Sequence, residues 1–224
     1  MMVALPPGAI IEFIAIEHCD PIMTKQKTPE QGGICSHKFA FLLDNWIRRL
    51  IQNPAKIIGE YIQPGDIAID MGCGPGFFTI EMARLVGEEG QAIAVDMQPE
   101  MLARVARKAA RKGVAAQVTC HRCEPDRIGL DLAADFMLAY YMVHETPDAA
   151  AFFREARTLL RGDGHLLVVE PKMHVTRRVF DQMLAVAEEG GFKVISFPLK
   201  KGGHSVLLGI AEAHPLRRAE SNRE

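Results

Sequence analysis

The chain has 224 residues, 26 basic and 28 acidic side chains, and a formal net charge of −2. That balance creates no strong field for nucleic acid or an anionic membrane, and 48% hydrophobic residues exclude a disordered chain. The length suits one full domain with a short appendage, at roughly 150 residues per domain. The five cysteines, Cys19, Cys35, Cys73, Cys120 and Cys123, are odd in number and irregularly spaced. They are expected to be reduced, as in a cytoplasmic protein. The apolar stretch from Met1 to Ile16 is broken by Pro6, Pro7 and Glu12, well short of the ~20 apolar residues of a membrane span. No Lys or Arg precedes it, so it does not read as a signal peptide. Residues 1–22 are expected to form a poorly ordered leader, 23–52 a helical lid, 53–213 the main domain and 214–224 a charged tail.

Along the chain, Phe39 to Leu50 carries a helical stripe of Phe39, Leu42, Leu43, Trp46, Ile47 and Leu50. Asn53-Pro54 reads as an N-cap with proline in the first turn of a helix to Ile62, and Pro64-Gly65 as a turn. Strands are expected at Ile67–Met71, Gln91–Val95, Val114–Thr119, Asp135–Tyr140 and His165–Glu170. Between them, helices are expected at Phe77–Val86, Pro99–Lys112 and from a Thr146-Pro147 cap to Leu160. Gly162-Asp163-Gly164 reads as the turn before the fifth strand, and a helix over Arg177–Glu189 follows it. In the helix over Pro99–Lys112, Leu102, Val105, Ala106 and Ala109 form one face, and Arg104, Arg107, Lys108 and Arg111 the other. The basic side reads as a solvated face rather than an RNA site.

Alternating strands and helices imply βαβ units and a parallel sheet covered on both faces. The last two strands, Phe192–Pro198 and Ser205–Ala211, are separated only by Leu199 to His204. That connection is too short for a helical crossover, so they must pair antiparallel. The expected fold is a doubly wound, Rossmann-like α/β domain with a seven-stranded sheet, mostly parallel, with one reversed terminal strand.

The sharpest motif is Asp70-Met71-Gly72-Cys73-Gly74-Pro75-Gly76-Phe77-Phe78, between the first strand and its helix. Open α/β sheets bind ligands at this edge. Its glycines let backbone approach a ligand closely and take positive φ. Asp96 ends the second strand, where an acidic residue suits a ribose diol. A nucleoside-containing cofactor is therefore expected over strands one and two. The spacing G-x-G-x-G, rather than G-x-G-x-x-G, and the preceding Asp70 disfavour a pyrophosphate. They favour the cationic S-adenosylmethionine over NAD.

These residues, with Val95-Asp96-Met97 and a strand ending in Tyr140, resemble the class I S-adenosylmethionine-dependent methyltransferases, in the small-molecule branch that includes the ubiquinone/menaquinone type. The resemblance covers about residues 54 to 211. It implies that Asp70, Gly72, Cys73, Gly74 and Gly76 surround the methionine moiety, Asp96 holds the ribose hydroxyls and Met97 packs on the adenine. The family's acidic residue after the third strand falls in Cys120-His121-Arg122-Cys123-Glu124, with Glu124 the stand-in and Cys123 its neighbour. Tyr140 completes the cofactor set.

Tyr141-Met142-Val143-His144-Glu145 follows the fourth strand and should face the transferable methyl. His144 or Glu145 is the candidate general base, because His titrates near neutrality; the alternative for His144 is helix capping or packing. Cys35, His37, Tyr141 and Glu170 are candidates for the lid and substrate pocket. Cys120-x-x-Cys123 lacks the second pair of a zinc site, so no metal is expected. The activity expected is methyl transfer to a small-molecule acceptor, without nucleic acid or membrane partners; the oligomeric state, a homodimer included, stays open. The alternatives are an NAD(P)-dependent oxidoreductase and a cofactor-binding scaffold without turnover.

Overall fold

The computed structural model describes residues 53–199 and 203–211. The expected leader, the helix over Phe39–Leu50, and Cys35 and His37 lie outside the described residues, as does the charged tail. Seven strands form one sheet in the order β3-β2-β1-β4-β5-β7-β6. They are β1 (Ile67–Met71), β2 (Gln91–Asp96), β3 (Val118–Arg122), β4 (Ala134–Tyr140), β5 (Leu160–Glu170), β6 (Phe192–Ser196) and β7 (His204–Ile210). β1 to β5 pair in parallel. β7 runs antiparallel to both β5 and β6, so the one reversed strand is last in sequence yet lies inside the sheet.

Because β1, β2, β4 and β5 are buried on both faces, they read as near-continuous apolar runs. Alternate residues feed two cores. One holds Ile69, Met71, Val95, Met137, Leu166 and Val168 beneath α4 (Ala149–Thr158) and α5 (Arg177–Glu189). The other holds Ala68, Ala92, Phe136, Leu138, Leu167 and Val169 beneath α1 (Pro54–Ile58) and α2 (Thr79–Leu85). α3 (Pro99–Lys112) lays Leu102 and Val105 against Ala94 and Cys73. It ends where Gly113 takes the left-handed conformation, φ 70°, and its N–H reaches back to the last turn.

Several boundaries differ from the sequence reading. The third strand starts at Val118, after a 3₁₀ turn over Ala115–Gln117. α4 is capped by Asp148, whose carboxylate accepts from the Ala151 N–H at 2.9 Å, and not by Thr146. α1 stops at Ile58 rather than Ile62. Gly162 to Gly164 belong to β5, where the pairing with β4 shifts register between Ala134 and Phe136. A Cβ on Gly164 would sit 2.9 Å from the Ala134 carbonyl, so the glycine permits close backbone approach at an irregularity. The β3–β4 connection carries no helix; the Glu155 carboxylate of α4 accepts the Ile128 and Gly129 N–H groups, each at 2.8 Å, and holds it down.

Candidate active site

The glycine-rich loop leaves β1 and doubles back over the end of β2. The Cys73 N–H donates to the Val95 carbonyl at 3.0 Å, and the Gly74 N–H donates to Asp96 Oδ2 at 2.9 Å. Asp96 Oδ1 accepts from the Gln98 N–H at 2.9 Å. The Asp96 carboxylate therefore ties the loop to the start of α3, with the Met97 N–H also drawn towards it, and one of its four acceptor positions is left for a further donor. Gly72, Gly74 and Gly76 have φ of 64°, 51° and 76°, which L side chains rarely adopt. Their surroundings differ. A Cβ on Gly76 would lie 3.1 Å from Val105 Cγ2 and one on Gly72 3.0 Å from Met142 Cβ, but at Gly74 no atom of the described residues lies within 4 Å. Gly76 serves helix packing, whereas Gly74 faces open space where a ligand has room to approach.

Asp70, 2% exposed, accepts from Thr79 Oγ1 at 2.5 Å at the start of α2. An acidic side chain at the first turn of α2 disfavours a phosphate group there and suits a ligand without one.

The loop following β4 closes the crevice from the other side. Tyr140 packs on Phe78, ring centroids 4.6 Å apart, and on Tyr141 at 4.3 Å. Tyr141 has φ 61°, the one non-glycine residue with positive φ among the described residues. Its N–H donates to the Val169 carbonyl at 2.8 Å, which fixes that unusual turn. Such backbone costs about 1–3 kcal/mol and persists where the surroundings over-determine it.

A 3₁₀ turn, Val143–Glu145, follows. Beneath it lies Glu170 at the end of β5, with no solvent exposure. Glu170 Oε1 accepts from the Val143 N–H at 2.9 Å and the His144 N–H at 3.3 Å. Glu170 Oε2 pairs with His144 Nδ1. His144 Nε2 is 4.0 Å from Glu145 Oε1, and the His174 ring centroid is 5.9 Å from that of His144. Burial raises the Glu145 carboxyl, His144 and His174 lower it, and the nearby Asp96 raises it further. The turn and the glycine loop thus border one electrostatic neighbourhood.

Residues 62–199 match the family described as "Methyltransferase domain". The chain belongs to this family. It is 28% identical over 123 residues to a ubiquinone/menaquinone biosynthesis C-methyltransferase of Shewanella frigidimarina, covering 53% of this chain and 49% of that protein. It is 26% identical over 110 residues to a demethylmenaquinone methyltransferase of Lactobacillus johnsonii, covering 49% and 45%. The chain spans about half the length of the curated relatives it matches. Its fold superposes on a SAM-dependent methyltransferase from Aquifex aeolicus with a TM-score of 0.70 at 22% identity, covering 79% of this chain and 99% of that one. The fold is the class I architecture of S-adenosylmethionine-dependent methyltransferases.

Within this methyltransferase domain, Lys108 departs from the sequence reading. It is 7% exposed, and its Nζ donates to the Pro75 carbonyl at 3.2 Å, bracing the glycine loop from α3. Its position at the border of the apolar face, one residue before Ala109, was the available signal. Glu170 and Tyr141 gained roles that the sequence did not reveal: one holds His144 from below, the other shapes the turn by its backbone.

Of the expected adenine-side residues, Cys123 donates its N–H to the Asp96 carbonyl at 3.2 Å. Met97 is half-buried beside them. Glu124 is exposed in a tight turn closed by backbone bonds with Arg127 at 3.0 and 3.4 Å. Burial, then Asp96, pushes the Cys123 thiol up to about 11. Burial raises Cys73 well above its ordinary value, with Asp70 and Asp96 adding to it, and burial also raises Cys120. These groups are neutral thiols at pH 7, poor nucleophiles for a soft substrate.

Asp96 yields a stability prediction. Burial raises its carboxyl against the pull of the Gln98, Gly74 and Met97 N–H groups. A carboxyl raised by folding stabilises the fold most below its unfolded value, about 3.9, and loses that contribution as pH rises through the folded value. Asp96→Ala removes this dependence. The wild-type-minus-variant difference in urea unfolding free energy should grow as pH falls from about 7 towards about 4. A difference that stays flat would contradict the raised carboxyl.

Proposed function

We propose that this chain transfers a methyl group from S-adenosylmethionine to a small-molecule acceptor, as a cytoplasmic enzyme without nucleic-acid partners. The observation that carries the reading is the cradle over Gly74: positive-φ backbone, space clear of the described residues where a Cβ would point, and the Asp96 carboxylate beside it. Membership of the methyltransferase family supports it. The quinone-biosynthesis relatives favour a small acceptor over a macromolecule. Among the described residues no helix is long and apolar enough to cross a membrane.

Asp96 would hold the ribose hydroxyls, and the Gly72–Gly76 backbone with Asp70 would surround the amino-acid end. Met97, Cys123 and Glu124 would border the adenine, and Tyr140 would close the crevice wall. S-adenosylmethionine supplies an electrophilic methyl on a sulfonium whose positive charge fades during transfer. The protein's share is alignment, worth several kcal/mol, in the partly apolar space beside Phe78 and Tyr140. His144 is the candidate base for an acceptor that arrives with its proton, with Glu145 as its neighbour in the same turn.

Calorimetric titration tests the cofactor. The protein should bind S-adenosylmethionine and S-adenosylhomocysteine, and not NAD; NAD binding without a response to S-adenosylhomocysteine would overturn the reading. Asp96→Ala should weaken S-adenosylhomocysteine binding by about 1–3 kcal/mol, through loss of a charged acceptor and of the brace on Gly74. Isotopically labelled methyl donor incubated with a metabolite extract would then identify the acceptor.

A further inference from the structure

Glu170 is the most deeply buried acid near the crevice, and nothing in the methyl transfer itself demands it there. An isolated carboxylate buried at the end of β5 would be costly. Its cost is offset by three donors on one turn: the N–H groups of Val143 and His144 on Oε1, and the His144 ring on Oε2. Burial raises this carboxyl, and the His144 ring and the two backbone donors pull it down. One side chain thus fixes both the backbone and the imidazole of the same residue.

That arrangement has a definite protonic consequence. An ionised carboxylate only accepts hydrogen bonds. With Glu170 ionised, the hydrogen between it and the ring sits on Nδ1, and in neutral His144 the lone pair then lies on Nε2. We propose that Glu170 is the positioning residue of a Glu170–His144 couple, holding His144 in the tautomer whose Nε2 accepts the proton of the methyl acceptor. The proposal rests on the reading of this crevice as the methyl-transfer site.

The step balances. The acceptor's X–H bond gives its proton to Nε2, and the electron pair left on X forms the new bond to the methyl carbon. The pair of the cleaved carbon–sulfur bond stays on sulfur. The imidazolium carries the positive charge that the sulfonium loses, then releases the proton to solvent. The ionisable groups facing the ring favour that charge on both sides: Glu170 on Nδ1, and Glu145 Oε1 at 4.0 Å from Nε2. Among the described residues the further neighbour is His174, with ring centroids 5.9 Å apart. His204, opposite Glu170 on β7, stacks its ring on Phe180 at 5.0 Å. At 4.0 Å Glu145 forms no hydrogen bond with Nε2, so among the described residues that nitrogen is left to accept a substrate proton.

Glu170→Gln separates a positioning role from a structural one. The glutamine carbonyl still accepts from the Val143 and His144 N–H groups, but its NH₂ now donates to Nδ1 and moves the ring hydrogen to Nε2. Nitrogen-correlated NMR of His144 in the protein without substrate reads the tautomer directly. The wild type should carry the hydrogen on Nδ1 and Glu170→Gln on Nε2. Methyl incorporation from labelled S-adenosylmethionine into metabolite extract should fall at least about tenfold in the variant, in line with an orienting carboxylate lost from a histidine base. S-adenosylhomocysteine affinity should change less than about twofold, a small fraction of the tenfold that 1.4 kcal/mol represents. A wild-type His144 protonated on Nε2 overturns the proposal even if the variant does not fold. So does a folded variant with the tautomer reversed and undiminished incorporation. Failure of the wild type to bind S-adenosylhomocysteine at all would instead strike the function reading, and the NMR result would stand apart from it.

Discussion

Gly74→Val is expected to weaken S-adenosylhomocysteine binding by roughly a hundredfold or more, about 2.8 kcal/mol, while the protein stays folded. The loss follows from the space above the loop. A side chain there meets no atom of the described residues within 4 Å, so it projects into the volume assigned to the cofactor. Holding an L residue at φ 51° costs roughly 1–2 kcal/mol in its own right. Gly74→Ala carries that same strain with a smaller side chain, so the gap between the two variants isolates occlusion from strain. Gly76 provides the contrast. Its Cβ would press on Val105 of α3, so Gly76→Val should lower the melting temperature more than Gly74→Val does. Calorimetry paired with thermal unfolding of the variants decides the matter. Wild-type affinity in folded Gly74→Val would remove the loop from the cofactor site.

His144→Ala is expected to slow methyl incorporation by about 10²–10⁴-fold, the range of a positioned general base, with S-adenosylhomocysteine affinity nearly unchanged. The ring is one partner of a buried carboxylate, so its loss also leaves Glu170 Oε2 with one donor fewer. Some destabilisation should accompany the rate effect, about 1–3 kcal/mol for an under-satisfied buried acceptor. Turnover per folded molecule, corrected by urea unfolding, separates the two. An intact specific rate in a destabilised variant would make His144 a packing residue and would point to an acceptor that needs no base.

The parts of the fold that the sequence made legible are those where one local signal decides. α3 is bounded by Pro99 and Gly113, and its apolar stripe has one period throughout; its limits match the expectation residue for residue. α5 and β1 are equally plain. β3 was misplaced because Val114 and Val118 look like neighbours on one strand, whereas Val114 packs into the core beside α2 and only Val118 enters the sheet. The glycines at 162 and 164 carry a turn signature, but register with β4 overrode it, and register is set by strands far away in sequence. The site divides the same way. The glycine loop and Asp96 are written in short motifs. The contact between Glu170 and His144 spans 26 residues and depends on how β4 and β5 align. Strand alternation places Glu170 on the same face as Val168 and Leu166, inward, yet it names no partner. Lys108 was assigned to solvent because its wheel position is marginal, and the loop it braces comes from another βα unit.

The late placement of β7 governs how this sheet is completed. Among the described residues β6 has only β7 for a neighbour, and the outer edge of β5 is covered by the same strand. As synthesis proceeds from the N-terminal end, β1 to β5 can assemble as they emerge, but β5 keeps a row of unpaired N–H and C=O groups until residues 204–210 arrive. An open edge of that kind is a template for pairing with another chain. Glu170 ends the exposed row, opposite His204 of β7. The last segment of the sheet to be made thus seals an aggregation-prone edge.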